Sequence, residues 1–307
     1  MWRALAAGCW CLSAAAFAAD NVAVLTILEG RATLVRDTSR YQLAEGARLN
    51  DEDIVELGAD AFAQIEFSDG ARLGAGPATR LQIGPKLAKE KTARPGRFYL
   101  LSGWSKVTPA GKEIAYAGAQ ADLAHPGVTV GLAGSEDLQV FVETQDAKVT
   151  DRRTGSAVTL RNGEFYSRKG GDRGAVTARP PAEFLTKLPR PFRDSLPPRA
   201  ERFKDRPAQL RPIGPVGYDD VAPWLQGELA LRRQFLTRWR PLANDAAFRA
   251  SLVSNMKAHP EWDRILFPEK YLPKKPPPPK PAIVPGPAAP LPVPTAPVPS
   301  ALPDSGR

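Results

Sequence analysis

The chain has 307 residues, a formal net charge of +9 at pH 7 and 32 prolines, most of them after position 179. A hydrophobic fraction of 43% is enough for one good core but not for 307 packed residues. Both cysteines, Cys9 and Cys11, fall within the first 19 residues, so the remainder excludes a disulfide framework, a thiol nucleophile and a cysteine-bound metal.

Residues 1–19 have the features of a secretory signal peptide. Arg3 gives a short positive region, residues 4–15 are an apolar run, and A-F-A at residues 16–18 has the form of a cleavage site. The alternative is a lipoprotein signal that uses Cys9, for which the preceding apolar run is too short. We therefore expect an exported, periplasmic protein that is cleaved after about Ala18 or Ala19 and has no membrane span in its mature form.

The first part of the expected mature chain predicts several short strands. Residues 22–35 are β-branched and apolar, and Gly30 within this run suggests a bulge or a corner between two strands. Between residues 41 and 58, short apolar pairs are separated by Gly46, Asn50 and Gly58, which is the spacing of a domain with many short strands.

Residues 61–83 predict a β-hairpin. Apolar side chains alternate with polar ones, and this period of two indicates a strand with one buried face. The apolar set is Ala61, Ala63, Ile65 and Phe67, and the polar set is Gln64, Glu66 and Ser68. Asp69-Gly70 supplies a two-residue turn, because both residues tolerate positive φ at little cost. The returning arm is expected to be irregular, with a break at residues 74–77.

The order of glycines, aspartates and apolar residues resembles the FecR-type periplasmic domain. The first half of the pattern is carried by Gly30, Ala32, Leu43, Gly46, Leu49, Asp53, Ile54, Gly58, Ala61, Phe67, Asp69, Gly70, Leu73 and Leu81. The second half runs through Gly103, then Gly134-Ser135 where the family often has Gly-Thr, and ends at Gly163-Glu164-Phe165. The resemblance covers residues 22–168 and implies a curled antiparallel β domain. We expect two lobes, 22–83 and 98–165, joined by the basic loop 86–97.

The motif residues are interpreted as turn and core residues. They are Gly46, Asp53, Ile54, Gly58, Phe67, Asp69, Gly70, Leu73, Gly103, Gly134 and Gly163. Asp53 and Asp69 could form a carboxylate pair for acid–base catalysis. Their sequence contexts instead favour turns that are closed by hydrogen bonds from the aspartate side chain.

Residues 169–217 predict an extended basic linker. Proline alternates with arginine and lysine, and this density excludes a long helix or a central strand. Residues 152–211 contain 15 basic and 6 acidic side chains, so they hold nearly all of the positive excess. Such a segment could contact anionic envelope polymers or lipid headgroups, or it could be a solvated linker. Four apolar residues are expected to tether it to the β domain: Phe184, Leu185, Phe192 and Phe203.

Residues 218–273 predict a small helical module. Trp224, Leu231, Phe235 and Trp239 recur at helical spacing, which predicts one amphipathic helix that Pro241 ends. Asn244 or Asp245 is expected to cap a second helix, and a third turn begins at Pro260. We expect the module to dock on the β domain or on a partner. Trp224, Trp239 and Trp262 are candidate partner contacts, and the alternative is that they are core aromatics.

Two features limit the chemistry that the chain could carry. His125 and His259 are isolated from each other, and a zinc site typically needs three or four ligands, so no metal site is predicted. No nucleophile elbow, phosphate-binding glycine loop or cofactor motif is present, so no catalytic residue and no cofactor are predicted. Residues 274–307 are proline-rich, and their composition predicts polyproline II or disorder.

The fold class expected is mainly β, with a small C-terminal α-helical module and a proline-rich disordered tail. Its segments are 1–19, 22–168, 169–217, 218–273 and 274–307. The resemblance to FecR implies an exported, non-enzymatic interaction, scaffold or sensor protein with a protein partner in the cell envelope. One alternative is a module that binds peptidoglycan or exopolysaccharide, and another is a hydrolase with an unrecognised site. Nucleic acid is not expected as a partner.

Overall fold

The computed structural model describes residues 22–87 and 96–272. The expected signal peptide, most of the basic loop and the proline-rich tail lie outside these residues. The described residues up to Pro268 form one unit, and residues 269–272 belong to a second. In the described part of the chain, no helix is both long and apolar enough to cross a membrane.

The described residues form a mainly β structure with short helices near the C-terminal end, so the predicted fold class is confirmed. The strands of the first half are β1 (Ala23–Glu29), β2 (Ala32–Arg36), β3 (Ser39–Gln42), β4 (Arg48–Leu49), β5 (Ile54–Leu57), β6 (Phe62–Phe67), β7 (Arg72–Ala75), β8 (Arg80–Ile83) and β9 (Phe98–Thr108). The later strands are β10 (Ile114–Gly118), β11 (Ala121–His125), β12 (Thr129–Ala133), β13 (Leu138–Val142), β14 (Ala147–Asp151), β15 (Ala157–Leu160), β16 (Phe165–Arg168), β17 (Ala175–Thr177) and β18 (Arg211–Pro215).

All helices of the described residues lie after β17. They are α1 (Ala182–Lys187), α2 (Tyr218–Leu225), α3 (Leu229–Arg238), α4 (Ala246–Ser254) and α5 (Asp263–Leu266). Short 3-10 helices occupy Arg190–Phe192, Ala200–Phe203, Arg240–Asn244, Pro260–Trp262 and Pro268–Tyr271. The single helix expected to end at Pro241 is wrong, because Gln226-Gly227-Glu228 separates α2 from α3. The Asp245 cap is confirmed, since its carboxylate accepts a hydrogen bond from Phe248 N–H at 2.8 Å.

The strands pair into three connected sheets. Sheet A has the order β4-β1-β6-β7-β9-β12-β13-β16-β17, and all of its pairs are antiparallel. Sheet B has the order β18-β3-β2-β5-β8-β9-β10, with a parallel pair only between β9 and β10. Sheet C has the order β10-β11-β14-β15 and is antiparallel. One apolar core lies between sheet A and the other two sheets.

Strand β9 belongs to two sheets because it bends at Gly103. Its first half pairs with β8 in sheet B, and its second half pairs with β7 and β12 in sheet A. Gly103 has φ +101°, and a Cβ there would lie 2.4 Å from Thr79 Cα, so only glycine fits this corner. Thr79 Oγ1 accepts a hydrogen bond from Trp104 N–H and donates one to the Trp104 carbonyl, both at 3.0 Å.

Candidate interaction surface

Residues 178–215, here called the strap, cover the outer face of sheet A with their first part and end as β18 at the edge of sheet B. Phe184 and Phe192 of the strap are buried against Phe62, Trp104 and other side chains of the sheet. The tethering role expected of these two phenylalanines is confirmed, whereas Leu185 is 43% exposed and the same expectation for it is wrong. The strap therefore forms a layer of its own on the sheet.

The strap also explains why strand β6 is buried on both faces. Gln64 and Glu66, expected on an unburied face, are 0% and 4% exposed. The Gln64 amide donates to the Pro197 carbonyl at 2.6 Å, and Glu66 accepts from the N–H groups of Arg199 and Ala200. The prediction of one buried face is thus wrong, because a segment 133 residues further along the chain covers the second face.

The helical module covers the outer face of sheet B. Its apolar side chains pack against Val35, Ile54, Tyr99 and Ala117 of that sheet. Arg238 donates hydrogen bonds to the carbonyls of Glu52 and Val35, which join α3 to the sheet. The module therefore docks on the β domain.

The three tryptophans that were candidate partner contacts lie in this covered layer. Trp224, Trp239 and Trp262 are all 0% exposed. Trp224 Nε1 donates to Glu56 at 3.1 Å, and Trp239 Nε1 donates to the Asp37 carbonyl at 2.9 Å. They are core residues in this structure, so the interpretation as a ligand platform is not supported.

The motif residues lie at turns and in the cores. Positive φ values occur at Gly46, Gly70, Gly103 and Gly163, whereas Gly58 and Gly134 have none. Phe67 and Leu73 lie in the central core, and Ile54 faces the helical module. The β6–β7 turn has three residues, Ser68 to Gly70, because Phe67 N–H donates to the Ala71 carbonyl; the two-residue turn expected there is wrong.

Asp53 and Asp69 both have structural partners. Asp53 is buried, accepts from Asn50 N–H at 2.8 Å and forms a two-point ion pair with Arg36 at 2.9 and 2.5 Å. Asp69 accepts from Ala71 N–H at 3.1 Å and pairs with Arg97 at 2.6 Å. The turn interpretation therefore holds for both residues, and the sequence did not reveal the arginine partners.

Sheet C differs from the other two sheets because most of its outer face is not covered by any described segment; the helical module reaches Ala117 of β10 and, through Glu228, Arg152. A cavity of about 590 Å³ lies along this face and is lined by Ala115, Asp122, Ala124, Lys148, Thr150 and Ala157, among others. The side chains on this face are mainly those of alanine and threonine, which are small, and Lys148 is exposed. Such a face can accept the side chains of an extended segment.

The edge strand β15 also has unpaired backbone groups. It pairs with β14 alone among the described strands, in the register Thr150↔Ala157 and Lys148↔Thr159. Asp151 N–H donates to the Ser156 carbonyl at 2.9 Å, so in the alternating ladder Val158 also faces β14. The backbone groups of Ala157 and Thr159 therefore point away from the sheet, where another strand could pair with them.

A buried polar cluster holds sheet C against sheet A. Asp151 of β14 accepts hydrogen bonds from Arg168 Nε and Tyr166 Oη of β16, both at 2.7 Å. Burial alone would raise the pKa of Asp151, but these bonds hold its pKa below its usual range. The same environment raises the pKa of Tyr166 to about 12. The cluster therefore fixes β14 against sheet A, and with it the edge strand β15, which pairs with β14.

Within residues 22–87 and 96–272, no group of three or more histidine, cysteine or acidic side chains could hold a metal ion. His125 and His259 are both buried and have different hydrogen-bond partners. His125 bonds to the Gly127 carbonyl and Thr129, and His259 bonds to Tyr218.

No protein-family model matches the chain, and no curated protein matches it. Two crystal structures of a proposed anti-sigma factor from Parabacteroides distasonis ATCC 8503, at 2.50 and 1.65 Å resolution, are partly similar to it. Their sequence identities are 17% and 16%, and the TM-score is 0.35 for both. The similar region covers 43% of this chain and 62% of theirs, which is less than two thirds of their length. A likeness of this extent assigns no function to the chain.

Proposed function

We propose that the chain is an exported, non-enzymatic interaction protein of the cell envelope, built on a FecR-type domain and acting as a scaffold or sensor subunit. The observation that carries the proposal is the open outer face of sheet C together with the unpaired edge of β15. The outer faces of the other two sheets are covered by the chain's own strap and helical module.

The partner proposed for this surface is an extended segment of another protein. Such a segment adds to the sheet as a further strand, with main-chain hydrogen bonds to Ala157 and Thr159. On the outer face its side chains would lie beside those of Ala157 and Thr159, with the exposed Lys148 of β14 one strand further into the sheet. A glycan partner is not supported, because sugar rings stack on exposed aromatic rings and all tryptophans among the described residues are buried.

The first experiment tests the location. A C-terminally tagged chain is expressed in a Gram-negative host, and the mass of the product and its cell fraction are measured. The proposal expects a periplasmic protein cleaved after residue 18 or 19. An uncleaved product in the cytoplasm would overturn the exported role.

The second experiment tests the surface. Photo-crosslinking amino acids are placed at Lys148 and Thr159, and at Leu185 on the strap as a control position, and products are identified by mass spectrometry. The proposal expects one protein to be captured from the first two positions and not from the third. Capture from all three positions to the same extent would contradict it.

A pair of variants sharpens the test of strand addition. Thr159→Pro removes the outward N–H, whereas Thr159→Val keeps it and removes only the hydroxyl group. We expect the crosslink from Lys148 to be lost in the proline variant and kept in the valine variant. Equal crosslinking in both variants would show that the partner does not bind as a strand.

A further inference from the structure

We propose that a second surface, the cavity between the strap and strands β1, β4 and β6, binds an anion that carries at least two phosphate groups. The cavity has a volume of about 540 Å³ and is lined by the basic side chains Arg48, Arg199, Arg202 and Lys204. The inference extends the proposed role in the cell envelope. It rests on that role only for the compartment in which the protein would meet the ligand.

The positive charge of this cavity is not neutralised from within the described chain. Two acidic side chains, Glu66 and Glu201, line it beside four basic ones, which leaves an excess of two positive charges. Arg48, Arg199 and Arg202 form no ion pair with any described residue, and Lys204 meets Glu201 only at 4.0 Å on the exposed surface. Exposed ion pairs of this length contribute little to the free energy of folding.

Glu66 does not compete strongly for these cations. Its side chain is buried, and Oε1 accepts from Arg199 N–H at 2.5 Å and from the Gln64 amide at 3.0 Å. Oε2 accepts from Ala200 N–H at 3.1 Å. Because these bonds use the carboxylate to hold the strap backbone, the guanidinium groups of Arg199 and Arg202 remain available to a ligand.

The wall that carries the cations is held in place. Arg48 Nη2 donates to the carbonyls of Phe203 and Lys204, each at 3.0 Å. Ala208 N–H donates to the Gly46 carbonyl at 3.1 Å, and a Cβ at Gly46 would lie 2.8 Å from the Phe203 ring. The cavity is therefore formed before a ligand arrives, which lowers the entropic cost of binding.

The chemistry of the side chains favours phosphate. Arginine presents a planar fork that matches the oxygens of phosphate in two parallel hydrogen bonds. The volume exceeds that of one phosphate group, and the excess of two charges suits a ligand in which phosphate groups are linked. Pyrophosphate and short polyphosphate are the probes of this chemistry, and vesicles with cardiolipin, which carries two phosphate groups in one headgroup, present it as a lipid.

The test compares two triple variants that remove the same charge from the same strap. Arg199→Gln/Arg202→Gln/Lys204→Gln changes the cavity, and Arg190→Gln/Arg193→Gln/Arg211→Gln is the matched control outside it. Binding of pyrophosphate and polyphosphate is measured by calorimetry, with thermal unfolding to confirm that each variant is folded. We expect the cavity variant to bind at least about tenfold more weakly, and the control within about twofold of the parent.

The outcomes are distinct. Equal losses in both triple variants would overturn the site and leave only a diffuse positive surface, and so would no binding of either probe by the parent chain. Equal affinity for citrate would overturn the phosphate class. Whether the parent chain binds soluble polyphosphate or cardiolipin vesicles distinguishes the source of the phosphate, provided that the cavity variant loses that binding. These measurements use the purified chain, so they can fail or succeed independently of a protein partner at sheet C.

Discussion

The Lys106 ammonium group lies 2.7 Å from the carbonyl oxygen of Phe192 and so joins the second half of β9 to the strap that covers it. It also donates to Glu143 at 3.0 Å and to the Asp194 carbonyl at 3.1 Å. A lysine that is 4% exposed is tolerated here because each of its three protons has an acceptor.

Replacing this lysine is expected to loosen the strap. Lys106→Met keeps the apolar stem and removes three charge-assisted hydrogen bonds, so we expect the free energy of unfolding to fall by about 3 kcal/mol. Limited proteolysis should then cut the strap sooner than in the parent chain. Lys187→Met, at an exposed position on the same strap, should change neither quantity. Unchanged proteolysis of Lys106→Met would show that the phenylalanines alone hold the strap.

The Asp151–Arg168 pair is the second buried interaction with a clear expected cost. Arg168→Leu leaves Asp151 buried with Tyr166 as its remaining side-chain partner, and we expect a loss of about 3–5 kcal/mol in the free energy of unfolding. Chemical denaturation measures this directly. Arg161→Leu, at an exposed position in the same region, is the control and should have little effect. A similar result for both variants would place the support of sheet C elsewhere.

The bend of β9 at Gly103 predicts that any larger residue at this position destabilises the fold. Gly103→Ala must accept a positive φ and also place its Cβ against the Thr79 backbone, whereas Gly155→Ala at φ +69° has no atom within 4 Å of its Cβ. We expect a loss of about 1–2 kcal/mol for Gly155→Ala from the backbone conformation alone. Gly103→Ala should lose at least twice as much or fail to fold. Thermal unfolding of both variants decides this, and equal losses would contradict the close approach at Thr79.

His125 predicts a pH dependence of stability. Burial lowers the pKa of His125 to about 4, although its bond to the Gly127 carbonyl acts in the opposite direction. In the unfolded chain its pKa returns to about 6.5, so between these values the unfolded state binds more protons. The contribution of the neutral His125 imidazole to the free energy of unfolding is complete above about pH 6.5 and declines as the pH falls toward 4.

The measurement is the melting temperature between pH 7.5 and 5 for the parent and for His125→Gln. The parent should lose stability more steeply as the pH falls, because the variant has no imidazole to protonate at this position. The contribution of His259 is common to both proteins and cancels in the difference. Parallel curves would show that His125 is protonated in the folded state or accessible to water.

The local patterns in the sequence predicted local structure well. The alternation in β6, the positive φ at Gly70 and the Asp245 cap each depend on residues a few positions apart, where sterics and short hydrogen bonds decide the conformation. The break between α2 and α3 was missed because the apolar side chains keep one helical spacing across Gly227.

What the sequence could not reveal depends on distant segments. Asp53 pairs with Arg36, and the second face of β6 is buried by the strap, yet neither contact leaves a periodic signal. The unpaired backbone edge at Thr159 was not predictable either. Residues 157–160 have the pattern of any short strand, and only the strand order shows that they lie at the edge of the sheet. The proline-rich composition of the strap indicated an extended segment, and nothing in it indicated which sheet it would cover.

The long-range contacts of the strap have a consequence for the order of synthesis. Gln64 and Glu66 are made early, and the strap that satisfies their hydrogen bonds follows more than 130 residues later. The same delay applies to β3, whose edge is closed by β18. A growing chain therefore leaves the edge of β3 and the outer face of β6 uncovered until residue 215 has been made, and contacts so far apart in sequence make folding slow. Any ligand or chaperone that occupies the open face of sheet A during that interval competes directly with the strap.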